Sequence, residues 1–142
     1  MSEYIAKALR LKVAERAKGC CEYCWSQALY ATQSFSIDHI FPVSLGGITE
    51  ADNLALSCQG CNSHKSNKLE AYDPITQQST ELYNPRKHLW SEHFSWSDDY
   101  LLIIGLTPVG RGAVEALHLN RAPLLNLRRV LYAMGEHPPV IS

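Results

Sequence analysis

The sequence predicts an α+β fold, and three observations point to it. Two Cys-x-x-Cys pairs, Cys21/Cys24 and Cys58/Cys61, bracket a middle segment. Within that segment, short extended-looking runs alternate with turn residues. Stretches with helical periodicity flank it on both sides. The organisation that follows is an N-terminal helix over 1–19, a cysteine-stapled core over 20–70, and an α/β extension over 71–142 packed on that core.

The first element is a helix over residues 2–18, which Ser2 can cap. Ile5, Leu9, Val13 and Ala17 form an apolar stripe near helical spacing, and Gly19 is a stop. Residues 34–40 alternate polar and apolar, which predicts a strand. Pro42 and then Gly46-Gly47 cannot continue a regular element and predict a loop. Residues 53–57 are short and apolar enough for a second strand, and residues 62–70 can run as a helix. Residues 71–99 read as turn-rich, carrying an aromatic and histidine group around Tyr83, His88, Trp90 and Trp96 that reads as packing. Residues 100–106 predict one buried strand. Thr107-Pro108 is an N-cap followed by an N1 proline, opening a helix to about Leu119. A second helix covers 120–134 with Gly135 as its stop, and 136–142 read as disordered.

Five cysteines are present, and four of them make the two pairs, with 33 residues (25–57) between. Each Cys-x-x-Cys turn aims two sulfurs at one point, and two such turns complete a tetrahedral shell for a structural Zn²⁺. The odd count and the absence of a basic-then-apolar leader argue against disulfides. Cys20 is left over and reads as a small buried hydrophobe.

Composition sets further bounds. A chain of 142 residues fits one domain or a small core with an appendage, and 46% hydrophobic and 19% charged residues are ordinary globular values. No apolar run approaches the ~20 residues that a membrane helix needs. The expectation is a cytoplasmic protein with no membrane partner. A net charge of −1 does not mark a nucleic-acid binder, so any such binding must rest on local clusters. Lys65/Lys68, Arg86-Lys87-His88 and Arg121/Arg128/Arg129 are those clusters.

Between the cysteine pairs lie Asp38-His39 and Asn53, and Asn62 follows Cys61 directly. Phosphodiester hydrolysis needs a base to activate water and a hard cation on the phosphate oxygens. Imidazole, with an ordinary pKa of ~6.5, is a fitting base, which nominates His39. Asp38 offers a hard oxygen suited to Mg²⁺, and the Asn62 amide oxygen offers a second. Neighbours on a strand point to opposite faces, so Asp38 and His39 share a site only if the strand ends there. Asn53 can hydrogen-bond backbone and fix the loop that carries His39. Asn62 has a competing reading as a plain helix N-cap. Lys65 and Lys68 read either as phosphate contacts or as a solvated helix face.

The pattern Asp38-His39-Ile40-x-Pro42-x-Ser44-x-Gly46-Gly47, Asp52-Asn53-Leu54, Cys58-x-x-Cys61-Asn62-x-x-Lys65 resembles the HNH endonuclease (ββα-metal) family. The resemblance covers about residues 20–70. The remainder, including Gly105-Leu106-Thr107-Pro108 and Arg111, is similar to small free-standing bacterial and cyanobacterial HNH proteins. The resemblance implies a ββα-metal core with His39 as general base, Asn53 as positioning residue, and Asp38 and Asn62 as ligands of a catalytic Mg²⁺ or Mn²⁺. It also implies products with a 5′-phosphate and a 3′-hydroxyl. The third signature position, often histidine, is Asn62 here, and Ser66 replaces the second histidine of the bacteriocin DNase helix. His64 is not expected to stand in for either. The partner expected is DNA, ranked above RNA, with Lys65, Lys68 and Arg86 on its phosphates and a protein partner delivering the enzyme to its target. The alternatives are a non-catalytic zinc module that binds DNA or an assembly, and an RNase.

Overall fold

Helix α1 (Lys7–Arg16) carries the expected stripe. Ile5, Val13 and Ala17 are buried together with Leu54 and Leu56, and Leu9, Ala14, Phe35 and Ile37 pack against them. The computed structural model describes residues 4–140, so the cap assigned to Ser2 lies outside the described residues. Within them the helix begins after Ala6, whose backbone is extended. At the other end the Arg16 guanidinium donates to the carbonyls of Ala51 (2.9 Å) and Leu54 (2.6 Å), tying the helix to the chain entering the second strand.

Strands β1 (Ser36–His39) and β2 (Leu54–Ser57) pair antiparallel, with Ile37 opposite Leu56, Asp38 opposite Ala55 and His39 opposite Leu54. Cross-strand partners share a face. Ile37, Leu54 and Leu56 therefore meet α1, and Asp38 lies on the opposite face.

Helix α2 (Gln59–Lys65) follows at once. It begins three residues earlier than the sequence suggests, because Cys58 is its N-cap, with Sγ accepting from the Cys61 amide at 3.4 Å. It stops at Ser66, which takes a positive φ of 48°, and Glu70 belongs to a strand instead.

The sulfurs of Cys21, Cys24, Cys58 and Cys61 are buried and all lie within 4.8 Å of one another, and Cys24 and Cys58 approach to 3.6 Å. A tetrahedral shell with Zn–S of ~2.3 Å puts sulfurs roughly 3.8 Å apart, so the donor set fits zinc. All five cysteines are free of disulfides. The Cys58 thiol is pushed down by hydrogen bonds from Cys21, Cys24 and Cys61, while burial pushes Cys21 up. Four buried sulfurs cannot all ionise without a cation among them. Cys20 is buried outside the cluster, its Sγ against the Lys18 carbonyl at 3.6 Å.

These elements form one compact unit that runs to Asn67 and takes in Asn84–Arg86. The N-terminal helix belongs to this unit and is not a separate piece.

The second unit comprises Lys68–Tyr83 and the chain from Lys87. The sequence suggests one strand and two helices here. The described residues of this unit form four strands: β3 (Glu70–Asp73) pairs with β4 (Gln78–Glu81), and β5 (Phe94–Trp96) pairs with β6 (Ile103–Gly105). A one-turn helix α3 (Trp90–His93) precedes β5. The β3–β4 hairpin escaped detection because its strands are polar. Its inward Asp73 is held by Arg111 (2.9 Å to each carboxylate oxygen), a partner 38 residues away. The run at 100–106 is not one buried strand. Ile103 is buried, but Leu102, Ile104 and Leu106 are exposed. Helix α4 (Pro108–Ala116) is capped as expected by Thr107, whose hydroxyl accepts from the Gly110 amide at 3.0 Å. It rests on β3 where Gly112 has no side chain; a Cβ there would meet Thr80 Cγ2 at 2.9 Å. Helix α5 (Ala122–Ala133) ends before Gly135. The stretch 136–142 is not loose throughout its described part. His137 is buried, its Nε2 lies 2.8 Å from the Tyr100 carbonyl, and its ring packs on Trp96. No helix among the described residues is long and apolar enough to cross a membrane.

The sulfur cluster generates the first prediction. Purified protein should hold about one zinc per chain, and Cys61→Ser should unfold the first unit, since structural zinc supplies roughly 10–16 kcal/mol in small zinc-folded peptides. Metal analysis with far-UV circular dichroism checks this; protein that folds normally without bound metal contradicts it.

Candidate active site

Asp38, His39 and Asn62 line one cleft of about 520 Å³ in the first unit, together with Arg10, Ser44 and Asn67. The condition set by strand alternation is met, because β1 ends at His39.

His39 enters the loop that follows β1, and Asn53 clamps that loop. The Asn53 carbonyl accepts from the Ile40 amide at 2.9 Å, and its Oδ1 accepts from the Phe41 amide at 2.8 Å. Its Nδ2 donates to the carbonyls of Phe41 (3.0 Å) and Ile48 (2.9 Å). The loop closes tightly against itself at Gly47, where a Cβ would sit 1.8 Å from the Phe41 carbonyl oxygen. Only glycine fits that approach. The His39 Nε2 lies 2.8 Å from Thr49 Oγ1.

Asp38 is buried, and its carboxylate is held from inside the protein. Tyr23 donates its hydroxyl at 2.7 Å, and the Lys65 ammonium lies 3.2 Å away. The same ammonium donates to the carbonyls of His39 (3.4 Å) and Ile40 (3.1 Å). Burial pushes the Asp38 carboxyl above its ordinary range, and the Lys65 charge opposes that. An ionised carboxylate has about four lone-pair sites, so these two partners do not exhaust it.

Asn62 is the fourth residue of α2, and its amide donates to the Cys58 carbonyl at 2.9 Å. The N-cap role belongs to Cys58, which removes the competing reading of Asn62 as a cap. His64 does not line the cleft.

Two of the three basic residues assigned to phosphate, Lys65 and Arg86, are paired with acids inside the first unit. Lys65 is 1% exposed and faces Asp38, so it does not present its charge on a helix surface. Arg86 pairs with Glu22, whose other oxygen accepts from the Leu56 amide at 2.8 Å. That makes it the counter-charge of a buried acid next to the cysteine turn. Lys68 is exposed and belongs to the second unit.

Two contributors were missed in the sequence. Tyr23 lies inside the first Cys-x-x-Cys turn, a position that could have flagged it. Thr49 carries no sequence signal, since only the folded loop brings its hydroxyl to His39.

A carboxylate, a carboxamide and an imidazole around one polar cleft make a donor set suited to a hard divalent cation with a nearby base.

A comparison with curated proteins finds no match. Residues 21–68 match the family described as HNH endonuclease. That span holds all four zinc-type cysteines, Asp38, His39, Asn53 and Asn62. Residues 21–68 of this chain thus match an HNH endonuclease domain, with four cysteines positioned to bind a metal.

Proposed function

We propose that this protein is a metal-dependent DNA endonuclease or nickase that hydrolyses phosphodiester bonds at the cleft lined by Asp38, His39 and Asn62. The observation that carries the reading is that adjacent Asp38 and His39, from the end of β1, and Asn62, from α2, line a single cleft. Asp38 and Asn62 would hold a Mg²⁺ or Mn²⁺ ion by their side-chain oxygens. Such an ion supplies positive charge against the charge that develops on the phosphate oxygens.

His39 takes the proton of the attacking water. In the tautomer whose Nε2–H donates to Thr49, Nδ1 carries the lone pair that does so. The water oxygen bonds to phosphorus, the bond to the 3′ oxygen breaks, and that oxygen acquires a proton from solvent. Asn53 holds the loop so that the imidazole stays in place. Lys65 and Tyr23 orient Asp38 and limit the repulsion between its charge and an incoming phosphate.

DNA is the favoured substrate over RNA. With a net charge of −1, binding rests on few cations, and weak sequence preference is expected of the isolated chain. A protein partner that delivers it to its target fits the same weak charge. The second reading, a non-catalytic zinc module, draws on the internal pairing of Asp38 with Lys65 and Tyr23. The same assay separates the two.

Supercoiled plasmid incubated with purified protein and Mg²⁺ should be nicked or linearised, and EDTA should stop it. His39→Ala should lose about 10²–10⁴-fold in rate with its zinc content unchanged. Asn62→Ala should raise the Mg²⁺ concentration needed for half-maximal cutting. Parent protein that binds plasmid without ever cutting it favours the non-catalytic module, and equal cutting by His39→Ala removes the base assignment.

Thr49→Val should lower kcat by about two- to tenfold, the worth of one hydrogen bond, with KM little changed. Thr49→Ser should restore it, and imidazole nitrogen NMR of His39 should show a tautomer change in the valine variant alone.

A further inference from the structure

We infer that Arg10, on helix α1, is a backbone-phosphate contact of the nucleic acid bound at this cleft; the inference rests on the nuclease reading above. Arg10 lies outside the matched segment 21–68, and its side chain lines the same cleft as Asp38, His39 and Asn62.

The argument begins with charge. A phosphodiester strand carries one negative charge per phosphate, and a protein holds it by placing cations along its path. The residues expected in that role do not face the cleft: the Lys65 ammonium is buried on Asp38, and Arg86 answers Glu22. Among the described residues, Arg10 is the one lysine or arginine lining the cleft. Without it, the charged group there is a carboxylate, which repels phosphate.

Geometry supports the same role. The α1 stripe of Ile5, Val13 and Ala17 seats the helix against Leu54 and Leu56, the strand residues that pair with His39 and Ile37. The site is thus built on strands that α1 covers, and a side chain at the edge of that helix reaches the cleft. The Arg10 residue is exposed, and its Nε–H donates to the Ile5 carbonyl at 3.0 Å. That bond holds the side chain of a residue that lines the cleft. A planar fork matches two phosphate oxygens, which a lysine cannot do.

A contact of this kind carries no base information, so it should weaken binding to all sequences alike. Its signature is in the salt dependence: each phosphate contact contributes about 0.9 to the slope of log Kd against log[salt] on duplex DNA.

The test uses full-length, zinc-loaded protein carrying His39→Ala, so that binding is read without cutting. Fluorescence anisotropy with a labelled duplex across a KCl series compares this parent with versions that add R10Q, R10K or K12Q. Lys12 is exposed on the same helix but does not line the cleft. R10Q should weaken binding by about fivefold and flatten the salt slope by about 0.9, while R10K keeps most of the slope. K12Q should leave the slope near that of the parent. Zinc content and circular dichroism establish that each variant is folded. A parent-like slope for R10Q, or an equal loss in K12Q, overturns the Arg10 contact and leaves the nuclease reading standing. A parent that binds no DNA at any salt overturns both.

Discussion

Four cysteine sulfurs gathered at one buried point are the constraint on which the first unit depends. Cys21 and Cys24 come from a turn after α1, and Cys58 and Cys61 from the start of α2. Joining them fixes the rotation and height of α2 against β1 and β2. A helix of seven residues has little stability of its own, so its position must come from this anchor. Asn62 and Lys65 inherit their places from it. The residues between the first two cysteines are used as well. Glu22 bonds the Leu56 backbone, and Tyr23 reaches Asp38.

Asp38 shows how that constraint reaches the cleft. A buried carboxylate is costly unless it is paired and hydrogen-bonded. Here one partner comes from each cysteine turn: Tyr23 from the first and Lys65 from the helix after the second. The carboxylate is held by groups whose positions depend on the sulfur cluster. The two sites are thus linked by side chains in contact, although the sulfurs themselves take no part in the proposed chemistry. On the other face of the same two strands, α1 supplies the apolar cover and, through Arg16, a tie to the loop that returns into β2.

The second unit follows a different logic. Its hairpins are held by long-range polar partners more than by apolar alternation. Arg111 meets Asp73, Asn120 bonds the Ile103 backbone at both its amide and carbonyl, and buried Arg128 donates to the Leu101 and Leu119 carbonyls. Arg128 also lies over the Trp96 ring, at 5.2 Å from its centroid. Reading strands from alternation therefore failed at β3 and β4, and the apolar run at 100–106 misled in the opposite direction. By contrast, Thr107-Pro108 was legible because capping is decided within four residues.

The sequence by itself determined those features whose physics is local or periodic. These are the apolar stripe of α1, the pairing of two Cys-x-x-Cys turns into one cluster positioned to bind a metal, the loop forced by Pro42 and Gly47, and the cap of α4. Of the residues it nominated, Asp38, His39 and Asn62 line the cleft, and Asn53 clamps the loop beside it. Only the tertiary structure decided what each polar side chain faces. Lys65 and Lys68 look alike in the sequence, yet one is buried against a carboxylate and the other exposed. Arg86 looked like a phosphate contact and is the counter-charge of Glu22. Arg10 carries no signal of its own in the sequence and lines the cleft. The reason is that a charge is assigned its partner by distance in space, and residues separated by tens of positions become neighbours only once the chain has folded.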